Sequence, residues 1–114
     1  MNKLLHTPLT VHNVELANRL VMPPMATGKT PDGTVQDDLL AYYDARSKGG
    51  CIGLIVTEHA YISPEGKAHE GQLSVSRNTD IPGLTKLVET IHKNNTRVIA
   101  VSYTHLRAHE TVLD

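Results

Sequence analysis

Phenylalanine and tryptophan are absent, and cysteine occurs once, at Cys51. A core made without Phe or Trp must be built from aliphatic side chains and a few of the four tyrosines. A lone cysteine excludes a disulfide framework, which needs pairs, and points to a reduced, intracellular protein. Charge of one sign is not in excess either: 11 basic and 12 acidic residues leave a net charge of −1. That balance implies neither a nucleic acid nor an acidic membrane surface as partner. Met1–His6 has no apolar run behind it, so it is too short for a signal-peptide core or a membrane span. The expected location is cytoplasmic.

The chain has 114 residues, 39% of them hydrophobic, which allows one domain at most. Leu9–Val11 and Val14–Leu16 read as a small hairpin around His12-Asn13. Arg19–Met22 is a short apolar run, stopped by Pro23-Pro24 because proline offers no N–H to a ladder. Thr30-Pro31-Asp32-Gly33 signals a turn. A helix follows, capped by Asp37 or Asp38, with Leu39, Leu40 and Tyr43 on one face and Gly49-Gly50 at its end. Cys51–Thr57 is the strongest strand signal, and Glu58–Ile81 reads as a long loop. Leu84, Leu87, Val88 and Ile91 form the stripe of an amphipathic helix capped by Thr79 or Asp80, with Pro82 in its first turn. Asn94-Asn95 stops it, and Arg97–Val101 is a further strand.

Helices alternating with buried apolar strands predict parallel βαβ units. A doubly wound sheet and a (β/α)8 barrel both fit. The first would want G-x-G-x-x-G after its first strand, where Pro23-Pro24-Met25 stands instead, which favours the barrel.

Four segments carry a family resemblance. Leu16-Ala17-Asn18-Arg19-Leu20-Val21-Met22-Pro23-Pro24-Met25 is similar to an "L-x-N-R-I-V-M-x-P-M" opening. Tyr42-Tyr43 followed by Arg46-Ser47-Lys48-Gly49-Gly50 resembles "Y-Y-x-x-R-A-K-G-G". Gly53–Glu58 with Ser63-Pro64-Glu65-Gly66, and Ile81-Pro82-Gly83-Leu84 with Val98-Ile99-Ala100, complete the set. In this order and spacing, over about residues 5–100, they resemble the Old Yellow Enzyme / NADH:flavin oxidoreductase family.

That resemblance implies an incomplete TIM barrel: a hairpin lid and about two and a half βα units of an enzyme that binds FMN. NAD(P)H would reduce the flavin, which would pass hydride to an activated alkene or similar small-molecule acceptor. An iron–sulfur cluster would belong only to a longer parent, and a homo-oligomeric parent is allowed. Pro24 and Met25 resemble the backbone that flanks the flavin ring. Ala26 resembles the residue facing its N5/O4 edge, with Thr27 beside it, and His59 aligns with a small residue near the flavin.

Other residues read more plainly. Glu58 is expected to be structural, paired inside the barrel mouth. Tyr42 and Tyr43 are expected to pack, Arg46 and Lys48 to form a solvated helix end, and Asn18 and Arg19 to hold the hairpin to the barrel floor. Cys51 sits at the N-terminal, stability end of a strand, so no nucleophilic role is expected. His105 and His109 are four apart but lack H-E-x-x-H and a third ligand, so no metal is expected.

Where the family continues its third strand with a flavin-contacting Gln, Val101 stands, and residues 101–114 resemble nothing in the family. They are expected to be a non-native tail, with residues 1–100 as the barrel part. No catalytic residue is expected here: the substrate-binding pair, the proton donor and the phosphate site would lie beyond residue 114. Since a barrel takes roughly 250 residues, the 114-residue chain alone is expected to be inactive. A stand-alone small α/β binding or interaction module is the competing class. A (β/α)8 aldolase is a third, but it would need a strand-end lysine, and neither Lys48 nor Lys86 is at one.

Overall fold

A computed structural model describes residues 3–103. After a short 3-10 turn at Lys3–His6, strands β1 (Leu9–Val11) and β2 (Val14–Leu16) pair antiparallel, Leu9 opposite Leu16, as the sequence predicts. His12 takes a positive φ of 52° in their tight connection.

Strands β3 (Val21–Met22), β4 (Leu54–Tyr61) and β6 (Arg97–Tyr103) form the parallel sheet, with β4 between the other two. Helix α1 (Asp37–Ser47) lies between β3 and β4, and helix α2 (Ile81–His92) between β4 and β6. The hydrophobic core lies between sheet and helices. Met22, Ile55 and Leu73 meet Leu39 and Tyr43 of α1 and Leu87 and Ile91 of α2. As the lack of Phe and Trp requires, the core is aliphatic, with Tyr43 its largest member.

Several boundaries differ from the sequence reading. α1 is entered through Gln36, whose backbone is extended, so Asp37 and Asp38 occupy the first turn and favour its dipole instead of capping it. Asp80 does sit at the N-cap of α2, but its carboxylate goes to Ser74 and Arg77 and makes no cap bond.

The expected strand Cys51–Thr57 is shifted to Leu54–Tyr61. Cys51–Gly53 lies outside the strand, with a bend at Gly53, whose amide donates to the Leu20 carbonyl at 2.9 Å. Glu58–Tyr61 is strand, because β6 lies on one side and a two-residue strand, β5 (Leu73–Ser74), pairs on Ala60–Tyr61. The supposed loop 58–81 therefore contains β5 and two 3-10 turns, Pro64–Gly66 and Asn78–Asp80. β6 also runs past Val101, to Tyr103 opposite Tyr61.

Among the described residues no helix is long and apolar enough to cross a membrane.

Candidate functional site

The parallel register, Val21 opposite Leu54 and Met22 opposite Ile55, brings the segment after β3 and the end of β4 to the same edge of the sheet. This is the C-terminal edge, where barrels of this class place their chemistry. Both sequence-predicted site segments are there: Pro24, Met25, Ala26 and Thr27 on one side, His59 on the other.

The register of β4 against β6 shifts between Val56 and His59, as a β-bulge does. Thr57 and Glu58 are consecutive and both buried. Thr57 lines a cavity with Leu84, Leu87 and Val88 of α2. Glu58 turns toward α1, where its Oε1 accepts from the Tyr43 hydroxyl at 3.3 Å. The Tyr43 oxygen in turn accepts the Glu58 amide at 2.9 Å. The Thr27 hydroxyl donates to the same carboxylate, at 3.0 Å to Oε1.

Glu58 is thus structural, as expected, but its partners come from α1 and the segment after β3. Tyr43, expected only to pack, also supplies a hydroxyl to this cluster. Burial pushes the Glu58 carboxyl up; the bonds from Thr27 and Tyr43 pull the other way without cancelling it. Burial likewise pushes the Tyr43 phenol well above its usual range.

Pro23–Ala26 is an exposed strip outside any helix or strand, with Met25 53% exposed. The two prolines have no N–H, and the amides of Met25 and Ala26 make no hydrogen bond among the described residues. A flavin ring needs an apolar wall and fixed donors at its polar edge. The strip offers both, so these residues fit that group. Thr27 contributes differently from expectation: its hydroxyl proton is committed to Glu58, and its oxygen accepts the Lys29 amide at 3.2 Å.

His59 is half-buried, with its Nδ1 2.7 Å from Gln72 Nε2 and its ring edge-on to His69 at 5.6 Å between centroids. Gln72 is buried, and its Oε1 accepts the Ala68 amide. The turn that carries it is tied back to the first segment: the Thr30 hydroxyl and amide both reach the Gly71 carbonyl, at 2.7 and 3.3 Å. Gly71 has φ +81°, and a Cβ there would lie 2.8 Å from the Gly28 carbonyl oxygen, so only glycine lets the two loops touch. Gln72 falls in the stretch 58–81 that reads as a long loop, where no periodicity marks it, and Thr30 is legible only as the first residue of the Thr30–Gly33 turn.

The opposite edge is held as expected. Asn18 Nδ2 donates to the Gly50 carbonyl at 3.1 Å, and its Oδ1 accepts the Leu20 amide at 2.9 Å. Arg19 reaches Thr7 and Pro8. Tyr42 stacks under the Arg46 guanidinium, 4.5 Å from its ring centroid. His105 and His109 lie outside the described residues. Among the described residues no group of three or more His, Cys, Asp or Glu is placed to hold a metal ion.

The sequence profile of the NADH:flavin oxidoreductase / NADH oxidase family matches residues 4–112. The chain is 38% identical over 104 residues to an NADH:fumarate oxidoreductase of Klebsiella pneumoniae, covering 90% of this chain and 11% of that protein. It is 33% identical over 107 residues to an NADPH dehydrogenase of Bacillus cytotoxicus, covering 92% and 30%. Among solved structures, morphinone reductase in complex with tetrahydroNAD superposes with a TM-score of 0.81 at 27% identity, covering 88% of this chain and 27% of that one. Old Yellow Enzyme from Pichia sp. gives 0.81 at 27% identity, covering 89% and 26%. The chain thus spans less than a third of the length of each of these relatives. It has the fold of an incomplete (β/α)8 barrel of the Old Yellow Enzyme type, and it belongs to the NADH:flavin oxidoreductase / NADH oxidase family.

Proposed function

We propose that this segment is the N-terminal part of an FMN-dependent NAD(P)H oxidoreductase of the ene-reductase type. The observation that carries the reading is the rim itself: the amides of Met25 and Ala26, which make no hydrogen bond among the described residues, and the His59 imidazole lie at one edge of a sheet with this family's fold. Bound FMN would supply hydride transfer from NAD(P)H to an activated alkene or similar small-molecule acceptor. The chain's own part is to bind and orient. Pro24 and Met25 form the wall beside the ring, the Ala26 amide donates to its polar edge, and Ala26 adds no side-chain donor. Thr27 holds the strip in place through Glu58. His59 flanks the ring from the neighbouring strand.

None of these residues moves a proton in the reaction, and the 114-residue chain alone binds FMN weakly or not at all and turns over nothing. The division near residue 100 rests on Val101 standing where the family has its glutamine. Sequencing the gene past Ala100 tests it. The full-length protein is expected to purify yellow and to consume NAD(P)H with an activated alkene. The 114-residue chain is expected to purify colourless. A colourless full-length protein that refuses added FMN would overturn the reading.

A further inference from the structure

His59 and Gln72 carry more information than proximity. A neutral imidazole has one donor nitrogen and one acceptor nitrogen, and its neighbours decide which is which. The amide of Gln72 could in principle face His59 with either end. The Ala68 amide removes that freedom. A backbone N–H only donates, and it lies 2.5 Å from Gln72 Oε1. The carbonyl end of Gln72 is therefore at Ala68, and the NH₂ end is the one 2.7 Å from His59 Nδ1. Nδ1 accepts, so the ring proton sits on Nε2.

Gln72 cannot easily turn away from this task. It is 1% exposed. Its own amide donates to the His69 carbonyl at 3.3 Å, and the preceding Gly71 is held against Gly28 and Thr30. The neighbouring His69 is also fixed: its Nδ1 lies 2.7 Å from the Glu70 carbonyl, which only accepts, so His69 carries its proton on Nδ1.

We propose that Gln72 is a positioning residue that locks His59 as the Nε2–H tautomer, so that His59 meets a ligand at the rim as a hydrogen-bond donor. The lock itself stands on the Ala68–Gln72–His59 geometry. Its use toward the flavin rests on the FMN reading above. A donor is what the carbonyl and nitrogen edge of a flavin requires, since that edge gains electron density on reduction.

The test is a long-range ¹H–¹⁵N spectrum of the full-length protein, flavin-free and labelled at histidine. His59 is expected to show a bare Nδ1 and a protonated Nε2. Q72E keeps an acceptor for the Ala68 amide but presents only acceptor oxygens to His59, so it is expected to move a proton onto Nδ1. A wild-type His59 protonated on Nδ1 overturns the proposal, and so does a Q72E spectrum with Nδ1 still bare. Should Q72E not fold, the wild-type spectrum decides alone. FMN affinity, read by quenching of flavin fluorescence, is expected to fall about tenfold in Q72E, the loss of roughly one good hydrogen bond. A Q72E ring proton that leaves Nε2 for Nδ1 with FMN affinity unchanged would support the lock and overturn the placement of His59 against the flavin. An affinity that falls with the tautomer unchanged would overturn the lock and leave that placement standing.

Discussion

At the N-terminal ends of the barrel strands, contacts run through backbone and leave no space. Gly53 gives its amide to Leu20, and a Cβ on it would overlap the Asn18 carbonyl oxygen. Asn18, buried, bridges Leu20 and Gly50. At the C-terminal ends, the ties run through side chains set behind the rim: Thr27 to Glu58, Thr30 to Gly71, Gln72 to His59. Those ties engage the polar groups behind the rim, while the Pro23–Ala26 strip is exposed and two of its amides make no hydrogen bond among the described residues. The same sheet is thus closed at one end and leaves an exposed strip at the other. That division of labour is the one expected of a (β/α)8 barrel.

The comparison is broken most severely at the floor. Gly53→Ala forces a methyl into the Asn18 backbone and should cost about 3 kcal/mol. The midpoint of urea unfolding reads the loss, while the folded fraction should keep its FMN affinity. At the rim the order of effects reverses. Glu58→Leu strips Thr27 and Tyr43 of their acceptor and should cost about 2 kcal/mol. It should also weaken FMN binding, because the strip loses its anchor. A Glu58→Leu protein with unchanged FMN affinity would show that Thr27 does not hold the strip.

The smallest expected effect is on pH dependence. The folded Glu58 carboxyl lies above its ordinary 4.5, so the folded state prefers it protonated. Its contribution to stability is complete below that value and is lost as pH rises through the raised one. Asp80 runs the other way. Burial works against its charge, yet bonds from Ser74 and Arg77 hold it below 3.8, so its contribution is present above 3.8 and lost as pH falls through the lowered value. Glu58→Gln should remove the first slope and leave the second, as urea midpoints across pH would record.

Local signals in the sequence carried the frame well. The hairpin, both helices and their buried stripes follow from alternation and from the spacing of Leu84, Leu87 and Ile91. Residues 24–27 and 59 are proposed from the family resemblance and the proline stop; the register of β3 on β4 puts them at one edge of the sheet. What escaped was non-local. Strand β5 has two residues and no period to read, and it exists only because Ala60 and Tyr61 offer it a ladder. The β4 boundary moved because β5 and β6 pair with its end, and a bulge there turns Glu58 to Tyr43, a partner on another element. Gln72 acquires its role from Ala68 and His59 together, and no spacing rule connects the three.

A crystal structure of the full-length protein grown with FMN tests the central claim most directly. The ring is expected to lie against Pro24 and Met25, with the Ala26 amide within hydrogen-bond reach of its polar edge and His59 alongside. A flavin seated elsewhere in the barrel, touching neither the strip nor His59, would contradict the account.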